Sequence, residues 1–180
     1  MSDFTEELDK LHHLSGAEFS RQVERIALRK EFHPLETDDN IFSVGGENSD
    51  DYPNLLIAAR KAVEFGYRVY MLPNPNKTRT PDFIFEKKGI YRAYDLKTVF
   101  GKSSVKDSLL ASIGQCNRVL LNIQLDYNTR SLAFDIKNYF EVNDKAVEVL
   151  VFKGRRHFSI RRFTVTRSDY MPLFRKLYER

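Results

Sequence analysis

Two hydrophobic periods alternate along the chain, and their order predicts a layered α/β fold. Apolar positions over residues 4–14 suit a short first helix. Phe19, Val23, Ile26 and Leu28 recur at helical spacing and predict a helix over 17–32. His33-Pro34 should close it, because the residue before a proline is pushed out of the helical region. Residues 34–48 are polar and turn-rich, with a short strand expected at 41–44. Leu55, Leu56, Ala59, Ala62 and Val63 then line one face of a strong helix, with Pro53 in its first turn and Gly66 as its stop. Residues 67–72 read as a strand, and Pro73-Asn74-Pro75-Asn76 as a rigid turn. Residues 82–86 and 90–99 read as a hairpin around Lys87-Lys88-Gly89. Ser104 should cap the next helix together with Asp107. Leu109, Leu110, Ile113 and Cys116 supply that helix with a buried face, and Gln115 lies on it. Residues 118–124 form an apolar strand expected at the sheet centre. A helix at 132–140, strands at 147–153 and 157–165, and a helix at 169–178 complete the pattern.

Composition supports a real core. The chain has 180 residues, 42% of them hydrophobic, with fourteen Phe and nine Tyr. No run approaches the roughly 18 apolar residues that span a bilayer. The start of the chain is acidic where a signal peptide would be basic, so no membrane partner and a cytoplasmic location are expected. The single Cys116 excludes an internal disulfide and a cysteine-based zinc cage. Net charge is only +4, but its distribution is uneven. Acids gather around Asp38, Asp39, Glu47, Asp50 and Asp51, while the last third is basic, which suits a polyanionic partner.

The candidate chemistry lies between Pro81 and Lys97. Alternate side chains of a strand share a face, so Asp95 and Lys97 point together. Asp82 begins the preceding strand, opposite Tyr94 and Asp95. Two carboxylates that close repel unless a cation holds them, and Mg²⁺ or Mn²⁺ prefers such oxygen ligands. Lys97 could then stabilise charge on a phosphate or orient a water. A second candidate is the basic hairpin near the end. There Phe158 and Ile160 alternate with His157, Ser159 and Arg161, and Arg155 sits in the turn. One face packs and the other, expected to be cationic, can follow a phosphate backbone through Arg155, His157 and Arg161, with Lys102 grouped beside them. His12 and His13 show no metal spacing.

The ordered series Phe65-Gly66-Tyr67-Arg68-Val69, Thr80-Pro81-Asp82-Phe83-Ile84-Phe85 and Tyr94-Asp95-Leu96-Lys97-Thr98 resembles the PD-(D/E)XK nuclease superfamily. More narrowly, it is similar to the C-terminal nuclease domains of CdiA-type contact-dependent inhibition toxins and related phage and mobile-element proteins. The matching span covers residues 47–124. The resemblance implies a restriction-endonuclease-like αβββαβ core, a mixed sheet flanked by helices. That core would occupy residues 49–180, behind an N-terminal helical extension and acidic loop at 1–48. It implies Asp82, Asp95, Lys97 and Gln115 as catalytic residues, and Asp82, Asp95 and Glu47 as metal ligands. The implied cofactor is Mg²⁺, with Mn²⁺ or Zn²⁺ as alternatives. The first core helix lacks the glutamate that the family often carries there. The function expected is metal-dependent hydrolysis of phosphodiesters in nucleic acid, with RNA, tRNA included, favoured over DNA. An immunity protein is the second expected partner. The competing expectation is a non-catalytic nucleic-acid- or protein-binding module on the same fold.

Overall fold

Residues 3–45, 51–74, 79–101 and 105–179 are described by the computed structural model. They gather into two units, residues 1–94 and 95–180. Glu47, Lys102 and Ser104, with the metal-ligand, nucleic-acid and capping roles expected of them, lie outside the described residues.

The first unit begins with α1 (Asp3–Asp9), a 3-10 turn (Lys10–His13) and α2 (Gly16–Ala27). The helix expected over 17–32 is therefore shorter. Beyond it, the Arg29 guanidinium bonds Glu31 and also Asp3. Residues two apart do not face each other on a helix, so that fork requires a non-helical backbone. β1 (His33–Leu35) and β2 (Asp38–Ser43) then form an antiparallel hairpin where mostly loop was expected. β1 is the first strand in the order, an edge position where proline's missing N–H is tolerated. α3 (Tyr52–Glu64) crosses from β2 to a parallel β3 (Arg68–Met71). β4 (Phe83–Lys87) pairs antiparallel with β3 and with the first half of β5 (Ile90–Val99). The hairpin turn lies where expected: Lys88 and Gly89 both take positive φ, at 52° and 78°, which matches the twist of the flanking strands.

The second unit contains the rest of β5, then α4 (Val105–Ala111), β6 (Arg118–Ile123), α5 (Thr129–Val142), β7 (Glu148–Lys153), β8 (Arg156–Arg161), α6 (Arg162–Val165) and α7 (Tyr170–Glu179). β5, β6 and β7 pair in parallel, and β8 closes the order antiparallel to β7. β6 is central in this unit and almost wholly buried, as its apolar run predicts. One sheet face, with Val119, Leu121, Val149, Val151 and Ile160, packs against Leu109 of α4, Ile136 and Tyr139 of α5 and Phe174 of α7. The strand expected over 157–165 stops at Arg161. Arg162 leaves the strand to donate to the carbonyls of Phe140, Asn143 and Ala146, at 2.8, 2.7 and 3.1 Å. It also lies over the Phe140 ring. Three charge-assisted bonds that close the end of α5 outweigh one further strand pairing.

The fold class is thus α/β with mixed sheets. No described helix is long and apolar enough to cross a membrane. Gly66 ends α3 at φ 92°, a conformation that a side chain resists. A Cβ there would also touch Lys87 Cε at 3.5 Å. Gly66→Ala is expected to lose about 1–3 kcal/mol of stability in urea unfolding. Gly101→Ala, which meets nothing within 4 Å, should stay near wild type.

Candidate active site

The register of β5 on β6 sets Asp95 beside Val119 and Lys97 beside Leu121. Side chains paired this way share a face, so a carboxylate and an ammonium stand on the helix-covered side of the sheet. Asp95 is only 3% exposed. A charged group so buried needs donors, and two side chains supply them. Lys97 Nζ lies 3.2 Å from Oδ2. The Gln115 amide nitrogen donates to Oδ2 at 2.9 Å and Oδ1 at 2.8 Å. The opposite amide orientation would set oxygen against oxygen.

Gln115 reaches Asp95 from a turn and not from the helix expected to carry it. α4 stops at Ala111. Ser112 Oγ then donates back to the Leu109 carbonyl at 2.6 Å, and Gly114 takes φ 86° to reverse the chain. Glycine tolerates that conformation and so delivers the next residue inward. Cys116 follows, buried but also outside the helix. Burial pushes its thiol up to about 12, and the Asp95 charge adds to the shift. Burial also raises the Tyr139 phenol, again with the Cys116 and Asp95 charges adding, while its bonds to Ser112 and Asn143 act the other way. The carboxylate therefore faces a dry, polarisable wall, with Lys97 (side chain 21% exposed) leading toward solvent.

Three of the four expected catalytic residues, Asp95, Lys97 and Gln115, come together in the second unit. Asp82 belongs to the first unit and precedes β4. Its amide donates to the Tyr94 carbonyl at 2.9 Å, and its carbonyl accepts from the Leu72 amide at 2.9 Å. Among the described residues no group of three or more His, Cys, Asp or Glu could hold a metal ion. By donor chemistry Asp95 fits a hard divalent cation, as a single oxygen ligand.

The basic hairpin keeps its expected alternation, with Phe158 and Ile160 buried and His157 and Ser159 exposed. Its other face also meets a carboxylate. The Ser159 hydroxyl bonds the carboxylate of Glu148, a buried residue that also pairs with Arg118 at 2.8 Å. His157 sets its ring edge-on to Phe152. Arg161 begins α6, its amide donating to the Thr164 hydroxyl at 3.3 Å. Arg156, one of the cations of the basic last third, stands on the packed face beside Phe158 and lines one recess with Lys176 of α7. The two-residue turn at Gly154-Arg155 was the signal for it, because turn length fixes which face each later residue takes.

The chain matches no protein-family model, no curated protein and no solved structure.

The buried thiol gives a direct check on this geometry. At pH 8 an unfolded cysteine is about a quarter thiolate, whereas a thiol near pKa 12 is roughly one ten-thousandth thiolate. Cys116 should resist a disulfide reagent in the native protein and react at least about a hundredfold faster in denaturant, followed by absorbance. Rapid native labelling would contradict the burial of this wall.

Proposed function

We propose that the protein is a divalent-metal-dependent nuclease of the PD-(D/E)XK type. The observation that supports this best is the buried Asp95 carboxylate held by Lys97 and Gln115. The element order α3-β3-β4-β5-α4-β6 is also the αβββαβ order such a core needs. A leucine at position 95 would continue the apolar face of Val119 and Leu121 and need no donor at all. Keeping a carboxylate there, against its desolvation cost, is what a cation-binding role calls for.

In this reading Asp95 is a metal ligand, with Asp82 and Glu47 retained as further ligands on the motif alone. Mg²⁺ bound there would polarise a phosphate oxygen and lower the pKa of a water. Gln115 fixes the carboxylate by donating to both its oxygens. Lys97 is the mobile partner. Its ammonium leaves Asp95 when other positive charge arrives, and turns to the phosphate or the attacking water. Arg155, His157 and Arg161 contact the nucleic-acid backbone. RNA, tRNA included, is favoured over DNA on the resemblance to inhibition toxins, which also suggests an immunity protein as partner.

The closed hydrogen bonding of Asp95 supports a second reading, a non-catalytic binding module. Cleavage decides between them. Purified protein with Mg²⁺ or Mn²⁺ is expected to cut tRNA, total RNA or plasmid DNA. Lys97→Met should slow this by about 10²–10³-fold, Asp95→Asn by at least as much, and Gln115→Leu by about 10–100-fold. Asp82→Asn should match Asp95→Asn. Intact substrates throughout would end the nuclease reading, and undiminished cutting by Asp95→Asn and Lys97→Met would end the site assignment.

A further inference from the structure

We infer that the recess between the β7–β8 hairpin and α7 is a phosphate site that grips the nucleic-acid backbone. The inference deepens, and rests on, the nucleic-acid reading above. The recess is open, of about 420 Å³, and is lined by Arg155, Arg156, His157, Phe158, Lys176 and Leu177.

Its construction begins with the turn. Gly154 takes φ 58°, and two turn residues bring Lys153 directly opposite Arg156. Both face the side that carries Phe158 and Ile160. Like charges set opposite each other across strands repel, and only one of this pair is answered. Lys153 Nζ bonds the Asp126 carboxylate at 2.7 Å. Asp126 is the carboxylate whose field also reaches Arg156, and its pKa is lowered chiefly by the Lys153 bond. Arg156 Nη1 is buried and finds no hydrogen-bond partner among the described residues. A guanidinium N–H without an acceptor is unfavourable, and Arg156, only half-buried, lines the open recess where an oxyanion from solution can pair with its charge. Arg155 and Lys176, both exposed, form no ion pair among the described residues. Phe158 and Leu177 give the recess an apolar floor that strengthens any charge pairing above it.

Three formal cations exceed what a single carboxylate can neutralise. A planar guanidinium with two neighbouring cations suits a group that presents several oxygens, which is a phosphate. The openness of the recess suits a phosphate carried on a long chain passing over the surface.

The test is fluorescence anisotropy with a labelled single-stranded 12-mer, as RNA and as DNA, in EDTA so that cleavage plays no part. Arg156→Gln and Lys176→Gln should each weaken binding about 5–20-fold and flatten the dependence of log affinity on log salt by about 0.7 per lost contact. Arg167→Gln, at an exposed arginine already paired with Asp169, should bind as wild type. Variants binding within twofold of wild type would overturn the inference, as would a wild type with no affinity for either oligonucleotide. If Arg156→Gln fails to give a native circular dichroism spectrum, Lys176→Gln, at an exposed position of α7, decides alone. A parallel titration with inorganic phosphate separates the sources. Phosphate binding without oligonucleotide binding rejects the nucleic-acid assignment. Cleavage by wild type with unaltered binding by both variants rejects the recess alone. Weakened binding by the variants, with no cleavage by wild type, rejects only the nuclease reading.

Discussion

A carboxylate buried on a core-facing strand governs the second unit. Asp95 cannot hold its charge beside Val119 and Leu121 without donors close by, since an unpaired ion there costs several kcal/mol. Much of the local architecture follows from that need. Lys97 must sit two residues on, because only that spacing returns to the same face. α4 must stop early enough for residues 112–115 to fold back. Gly114 must take a positive φ so that Gln115 arrives from outside the helix. The same burial keeps Cys116 protonated and raises the Tyr139 phenol. One desolvated charge thus goes with the end of a helix and the shape of a turn, while burial sets the ionisation of its two neighbours.

What could be read from the sequence follows the range of the interactions involved. The Lys88-Gly89 turn, the Pro53-to-Gly66 bounds of α3 and the apolar run of β6 are decided by residues close in the chain, and each stands where its pattern placed it. The face shared by Asp95 and Lys97 is equally local. The departures come from distant partners. β8 ends because Arg162 finds carbonyls 16 to 22 residues earlier. α2 ends where Arg29 can reach Asp3, 26 residues back. β1 exists because Pro34 meets Phe42 across a hairpin that composition alone describes as loop. Gln115 does reach Asp95, but from a turn and not from the helix its period suggests. Helical period cannot report a glycine that reverses the chain.

The second unit treats the charges of Asp95 and Arg156 in opposite ways. For the anion Asp95 the fold builds a complete set of donors from its own residues. For the cation Arg156 it leaves Nη1 without an acceptor among the described residues, with the field of Asp126 nearby. The nearby Asp126 is spent on Lys153, and a guanidinium nitrogen is left buried without an acceptor. Evaluated by stability alone, the second arrangement is unfavourable, and an uncharged side chain packed on Phe158 and Leu177 would remove the defect. If the recess takes a phosphate as inferred, the charge left open is the one that meets the missing oxygen atoms.

The turn shows how little sequence separates a site from a surface. With Gly154 and Arg155 as its only two residues, Lys153 and Arg156 are forced to be partners on the packed face. One more residue in that turn would exchange the two faces of β8. Arg156 would then point outward as an ordinary solvated arginine, while Phe158 and Ile160 would lose the core that Val149 and Val151 share with them. The apolar alternation of β8 therefore fixes the turn length, and the turn length fixes the inward arginine. The inward arginine, half-buried with one nitrogen fully so, is a consequence of the same pattern that holds the strand in the sheet. A residue without charge would pack at that position with no unanswered N–H, so an arginine there accords with the phosphate inferred for the recess.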